Sequence, residues 1–205
     1  MLLRFTVENM FSFQGCETLD LVAVTSCKER MDEATFPVSH GKDKRRALKV
    51  AAFYGANASG KSNLLRSFHL FAEFVRSSAI GSLSNARVPV FPFLHVAKWE
   101  GVPPPSRMEA VFVHRNFQYR YGFSATAEAV QEEWLYRKEL ARRYARETEL
   151  FVRHRDGDID VIEPSAAFDK ADRVVAEKTR RNALFLSTKT ATPVGRGVVQ
   201  CSEIS

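Results

Sequence analysis

The stretch Gly55-Ala56-Asn57-Ala58-Ser59-Gly60-Lys61-Ser62 decides the fold, because it matches the pattern G-x-x-x-x-G-K-[ST] at every fixed position. Glycines lack a Cβ, so the backbone can turn tightly and come close to a ligand. The backbone N–H groups of such a loop form a concave anion site, and a helix is expected to begin at its end. The sequence therefore predicts a phosphate-binding loop, whose contacts we assign to Gly55, Asn57, Ala58, Ser59, Gly60, Lys61, Ser62 and Asn63.

Two side chains of this loop carry the predicted chemistry. Lys61 is expected to place its ammonium group on the β- and γ-phosphates of a nucleotide. The hydroxyl group of Ser62 is expected to be a ligand of Mg²⁺, which prefers oxygen ligands. The predicted cofactors are therefore ATP and Mg²⁺, and the competing interpretation is a Gly/Ser turn that binds nothing.

The segments on both sides of the loop supply the strand and the helix that the motif requires. The apolar run from Leu48 to Tyr54 predicts a buried strand that leads into the loop. After the loop, apolar residues recur at helical spacing from Leu64 to Val75 and predict a helix that ends near residues 77–81. A strand, a loop and a helix in this order are the context in which the motif binds phosphate.

The rest of the chain predicts more strands than helices. Two strands are expected before the loop, over residues 3–8 and 17–24, followed by a surface loop at 25–47. Alternating apolar residues later in the chain predict an antiparallel β-rich layer, with strands at 108–114, 118–124, 130–136, 149–153 and 158–162. We expect residues 137–147 to form an exposed turn or short helix, 168–181 a helix, and 182–187 an apolar strand or helix entry.

Composition limits the classes of function. The chain has 205 residues, 45% of them hydrophobic, and a net charge of +6. This charge permits contact with DNA without requiring it, and the basic run at 42–46 is the candidate, although a solvated, mobile loop is the commoner explanation for so short a run. The three cysteines lack metal-ligand or disulfide spacing, and no apolar run reaches the ~18 residues of a membrane span. We therefore expect a cytoplasmic protein with no membrane partner.

Two stretches of the sequence resemble a known family. Residues 7–13, Val-Glu-Asn-Met-Phe-Ser-Phe, resemble the opening of ABC-type ATPases related to chromosome-maintenance, recombination-repair and overcoming-lysogenization-defect proteins. Residues 55–65 match that family's version of the loop. The chain is most similar to bacterial AAA-type ATP-binding proteins, often found in anti-phage defence loci, which carry similar stretches at residues 119–123, 132–136 and 182–187.

The resemblance implies a fold, a further site residue and a partner. The implied fold class is α/β, a P-loop NTPase, specifically the N-terminal lobe of an ABC-type ATPase with an antiparallel β-rich layer. Ser12 is implied to lie against the nucleotide, although several relatives have a basic residue where this chain has Phe11. Relatives of full length hydrolyse ATP as head-to-head dimers, so a homodimer or a partner ATPase or nuclease subunit is implied.

We divide the chain into three parts. Residues 1–85 are expected to form the nucleotide-binding lobe, and residues 86–187 a connecting segment and a β-rich subdomain that completes it. Residues 188–205 have no apolar period and are predicted to be a disordered tail. Because the resemblance stops near Ser187, one hypothesis is that the protein is shortened relative to its relatives.

The sequence lacks the other motifs that hydrolysis requires in this family. Relatives hold Mg²⁺ and orient water with a strand of four apolar residues followed by Asp-Glu, and this pattern is absent, as is the signature L-S-G-G-x. No catalytic residue is assigned, and we expect ATP binding with hydrolysis that is weak or depends on another polypeptide. The alternatives are a regulatory subunit that binds ATP without hydrolysing it, a small-molecule kinase, and a nucleic-acid-binding module with a residual loop.

Overall fold

The computed structural model describes residues 1–24, 30–38, 44–81, 86–94, 104–142, 144–157, 159–166 and 170–191. Its four helices are α1 (Met31–Ala34), α2 (Lys61–Gly81), α3 (Lys170–Glu177) and α4 (Phe185–Ala191). Its strands are β1 (Leu2–Glu8), β2 (Glu17–Asp20), β3 (Thr35–Pro37), β4 (Arg46–Leu48), β5 (Ser106–His114), β6 (Phe117–Ala125), β7 (Val130–Glu139), β8 (Thr148–Asp156) and β9 (Ile159–Pro164).

Seven of these strands form one sheet in the order β2-β1-β5-β6-β7-β8-β9, and each neighbouring pair is antiparallel. Strands β3 and β4 form a separate antiparallel pair. A chain with helices packed on an antiparallel sheet agrees with the predicted α/β class and with the predicted β-rich layer.

Helix α2 packs against the sheet through aromatic side chains. The Phe71 ring stacks on the Phe123 ring of β6 at 5.6 Å between centroids, and its edge contacts Phe5 of β1. Phe74 meets Phe123 at 5.4 Å in an edge-to-face arrangement. These buried rings fix the helix on β1 and β6, because aromatic pairs add directional contacts to the burial of apolar area.

A buried carboxylate joins α4 to the same sheet through hydrogen bonds. Glu133 of β7 accepts hydrogen bonds from the backbone N–H groups of Phe185 and Leu186, at 2.7 and 3.1 Å, and from the Tyr121 hydroxyl at 2.9 Å. The guanidinium of Arg153 lies 3.8 Å away and is also fully buried. Burial raises the pKa of the Glu133 carboxyl, while Arg153 and the three donors act in the opposite direction.

The structure confirms the predicted helix after the loop and the predicted strands of the β-rich layer. It differs within two segments that were predicted as a turn and as a surface loop. Strand β7 continues to Glu139, so the first residues of the predicted turn at 137–147 are paired strand instead. Helix α1 and strand β3 lie within the predicted surface loop, of which residues 25–29 and 39–43 are outside the described residues.

The predicted buried strand before the phosphate-binding loop is wrong. Strand β4 ends at Leu48, and residues 49–54 follow it as exposed chain without strand pairing. Val50 is 80% exposed and Tyr54 is 93% exposed. The apolar pattern predicts burial, but burial also requires elements that cover the segment, and those in the described part of the chain leave it exposed.

The predicted disordered tail begins too early. Helix α4 continues to Ala191, and the buried ammonium of Lys189 pairs with Asp172 of α3 at 3.0 Å. The prediction is therefore wrong for residues 188–191, and residues 192–205 lie outside the described residues. No helix among the described residues is long and apolar enough to cross a membrane.

Candidate phosphate-binding site

The loop at residues 55–60 contains two residues with left-handed backbone conformation, Ala58 and Gly60. Gly60 has φ of 89°, a value that favours glycine, and a Cβ there would lie 3.2 Å from the ring of Phe13. Ala58 also has positive φ, 63°, which is uncommon for alanine and costs free energy. The loop is thus held in a strained shape directly before α2 begins at Lys61.

The N–H groups of the loop are largely unused by the protein. Within the loop, Ser59 donates to the carbonyl of Ala56 at 3.3 Å, and Leu64 of α2 donates to the carbonyl of Gly60 at 3.0 Å. Among the described residues, the N–H groups of residues 57, 58 and 60–63 have no acceptor. An anion is the acceptor that free amides at the start of a helix bind best.

Lys61 is folded back over the loop. Its ammonium donates to the carbonyl oxygens of Gly55 and Ala56, at 2.8 and 2.7 Å, and lies 3.2 Å from the Ser59 hydroxyl. In the described part of the chain no carboxylate lies within ion-pairing distance of this ammonium. The charge therefore sits on the loop without a compensating anion, which an incoming phosphate would supply.

The N-terminal turn that carries Ser12 lies beside the loop. The Asn63 side-chain amide donates to the Ser12 hydroxyl at 3.0 Å. That hydroxyl also lies within 3.3 Å of where a Cβ on Gly60 would be. Asn9 anchors the turn, because its side chain donates to the Pro104 carbonyl at 2.7 Å and accepts from the Phe93 N–H at 3.0 Å. Ser12 and Asn63 are therefore brought together with the loop.

The residues present fit a nucleotide phosphate group. Free amides, one lysine ammonium and the exposed Ser62 hydroxyl are the donor and ligand types that phosphate and Mg²⁺ require. The protein would supply few of the ligands of Mg²⁺, because no cluster of metal-ligating side chains occurs among the residues described. Ser62 would hold the ion, and phosphate oxygens and water would complete its ligand set.

Other candidate regions lie outside this site. In the basic run at 42–46, residues 42 and 43 are not described, Arg45 bonds to Gln118, and Arg46 bonds to Thr35 and Asp32. A cleft of about 800 Å³ lies along α2 but includes no residue of the loop.

The segments at 119–123, 132–136 and 182–187 meet around Glu133, so their residues hold the fold together. Sequence reasoning did not single out Glu133, since only tertiary contacts show its partners.

One comparison with known proteins gives a match. A family model described as "AAA domain, putative AbiEii toxin, Type IV TA system" matches residues 50–185, which is more than half of the chain. The chain belongs to this family. No curated protein and no solved structure matches it. The matched region of this AAA domain contains the whole loop, α2 and strands β5–β9, and membership supports an ATPase-like protein.

Proposed function

We propose that this AAA domain binds ATP at residues 55–63, with Ser12 beside the nucleotide, and that hydrolysis is weak or depends on another polypeptide. The observation that carries the proposal is the loop itself, which combines backbone N–H groups that have no acceptor with a Lys61 ammonium that no carboxylate among the described residues compensates. Phosphate binding by such a loop uses backbone donors, so it does not require the rest of an ATPase site.

The finer family assignment is also part of the proposal. The turn that carries Ser12 packs on the loop, which supports a functional reason for the N-terminal motif shared with ABC-type ATPases of the overcoming-lysogenization-defect group. The description of the matching family names a putative AbiEii toxin and a type IV toxin–antitoxin system. We therefore favour a role in anti-phage defence over one in DNA maintenance. Contact with DNA stays a prediction.

A partner polypeptide is supported by the surface next to the loop. Transfer of a phosphoryl group to water needs a group that positions the water and a ligand set that holds Mg²⁺. No metal-ligating cluster is found among the described residues, and the segment at 49–54 exposes Val50, Phe53 and Tyr54 directly before the loop. Exposed apolar patches of this kind mark protein–protein contacts. We propose that a second copy or a partner ATPase or nuclease subunit covers this segment.

The test is a pair of measurements on the same purified protein. Calorimetry with Mg²⁺ and a non-hydrolysable ATP analogue is expected to show saturable binding, whereas a phosphate-release assay with ATP is expected to stay at background. Absence of binding by folded protein would refute the proposed function. Rapid phosphate release by the isolated chain would show that it contains a complete hydrolytic site, and would contradict the need for a partner.

The Ser62 hydroxyl is expected to contribute only when Mg²⁺ is present. We predict that Ser62→Ala weakens binding of the ATP analogue about tenfold in Mg²⁺, because a metal ligand is lost. With EDTA instead of Mg²⁺, the variant and the wild type should bind the analogue equally. Ser67→Ala, on the same helix but with a buried hydroxyl bonded to the Asn63 carbonyl, is the control for helix packing. A loss that is equal in Mg²⁺ and EDTA would contradict the metal role.

A further inference from the structure

A layered stack of side chains stands beside the candidate phosphate site. The Phe11 and Phe91 rings are nearly parallel, with centroids 5.1 Å apart and an interplanar angle of 13°. The Arg66 guanidinium lies over the Phe11 ring, 4.9 Å from its centroid. Guanidinium groups are attracted to aromatic faces at such distances, so Phe11 contacts both the Phe91 ring and the Arg66 guanidinium, and we call these three side chains the stack.

The stack is fixed to the same turn that contacts the loop. The Phe11 N–H donates to the Phe91 carbonyl at 2.7 Å, and the neighbouring Ser12 hydroxyl accepts from Asn63 at 3.0 Å. Phe11 has φ of 52°, a left-handed conformation that is rare for a large side chain. Such strain persists only where surrounding contacts impose it, and it occurs often at ligand sites.

Arg66 is placed to reach a nucleotide bound in the loop. It follows Ser62 by one helical turn, about 6 Å along the helix axis, and therefore lies on the same side of α2. Helical side chains tilt towards the N-terminus, which directs Arg66 back towards the loop. Arg66 is exposed, and in the described part of the chain no carboxylate pairs with it.

We propose that the base of the bound nucleotide stacks on the Arg66 guanidinium. The Phe11 ring, which itself packs on Phe91, holds this guanidinium in place. This inference rests on the proposed function, since it needs the phosphates to lie in the loop. Bases stack on arginine guanidinium planes as well as on aromatic rings, and the contact with the Phe11 ring restrains this guanidinium.

The test separates contacts to the base from contacts to phosphate. ATP and inorganic tripolyphosphate are titrated into wild type, Arg66→Ala and Arg66→Lys by calorimetry. We expect Arg66→Ala to weaken ATP binding about tenfold and to leave tripolyphosphate binding unchanged, because only ATP has a base to stack. Arg66→Lys keeps the charge but loses the plane, so it should resemble the alanine variant.

Two further variants serve as comparisons. Arg76→Ala removes an exposed arginine of the same helix, paired with Glu73 and about 21 Å beyond Ser62, and should change neither titration. Tyr54→Ala removes the exposed aromatic residue next to the loop on its other side. An ATP-specific loss in the Tyr54 variant, with none in Arg66→Ala, would overturn the proposal.

The remaining outcomes are also decisive. Equal losses for ATP and tripolyphosphate in Arg66→Ala, restored in Arg66→Lys, would show a phosphate contact and overturn base stacking. Unchanged ATP binding in all Arg66 variants would overturn it while leaving the proposed function intact. Wild type that binds neither ligand would instead refute the proposed function.

Discussion

Replacing Lys61 by alanine is expected to weaken ATP binding about 100-fold, which corresponds to about 2.8 kcal/mol. The variant loses the Lys61 ammonium, which lies over the loop, and it also loses two hydrogen bonds that hold the loop in shape. The Lys61 ammonium donates these two hydrogen bonds to the carbonyl oxygens of Gly55 and Ala56, at 2.8 and 2.7 Å. Truncating a hydrogen-bonded charge at a binding site costs several kcal/mol, so a loss of this size is expected.

Calorimetry with the non-hydrolysable analogue measures this loss. Lys49→Ala is the matched control, because Lys49 is a lysine before the loop whose ammonium lies over the Phe36 ring, 4.8 Å from its centroid. The control should bind as the wild type does. Helix α2 is held by Phe71 and Phe74, so circular dichroism of the Lys61 variant should be unchanged. Equal affinities of the Lys61 and Lys49 variants would contradict our assignment of the site.

Replacing Glu133 by alanine is expected to lower the free energy of unfolding by about 3–5 kcal/mol. The substitution leaves the buried Arg153 guanidinium without this partner. It also removes the acceptor for the Phe185 and Leu186 N–H groups, which Glu133 binds at 2.7 and 3.1 Å. Buried donors that lose their acceptor pay their full desolvation cost, so several penalties combine at one side chain.

Urea denaturation followed by circular dichroism checks this prediction. Glu132→Ala is the matched control, because Glu132 is the preceding residue of β7, half exposed, and paired with Arg107 at 3.5 Å. Exposed ion pairs contribute about 0–1 kcal/mol, so the control should be nearly as stable as the wild type. Similar unfolding midpoints for the two variants would show that α4 does not depend on Glu133.

The local sequence pattern correctly predicted the elements whose apolar residues recur at a regular helix or strand spacing. Helix α2 has apolar residues at helical spacing, and the hairpins of the β-rich layer alternate apolar and polar residues over short connections. In both cases each residue's environment follows from its near neighbours in the chain. The end of the loop at 55–60 belongs to the same group, since Gly60 has the positive φ that favours glycine.

The pattern failed where burial depends on a distant element. Residues 49–54 have the composition of a buried strand, yet the described part of the chain leaves them exposed. The expectation fails in the opposite direction at Lys189. A lysine is expected to be exposed, but Lys189 is buried because Asp172 of a neighbouring helix compensates its charge.

By itself, the sequence determined that this chain carries a phosphate-binding motif, a helix after it and an antiparallel β-rich layer. Only the tertiary structure showed that Ser12 contacts Asn63, 51 positions later in the chain, and that Arg66 lies over Phe11. It also showed that Glu133 joins three segments. The physical reason is that motifs and periodicity record local conformation, whereas these contacts depend on how α2, α4 and the N-terminal turn pack on the sheet.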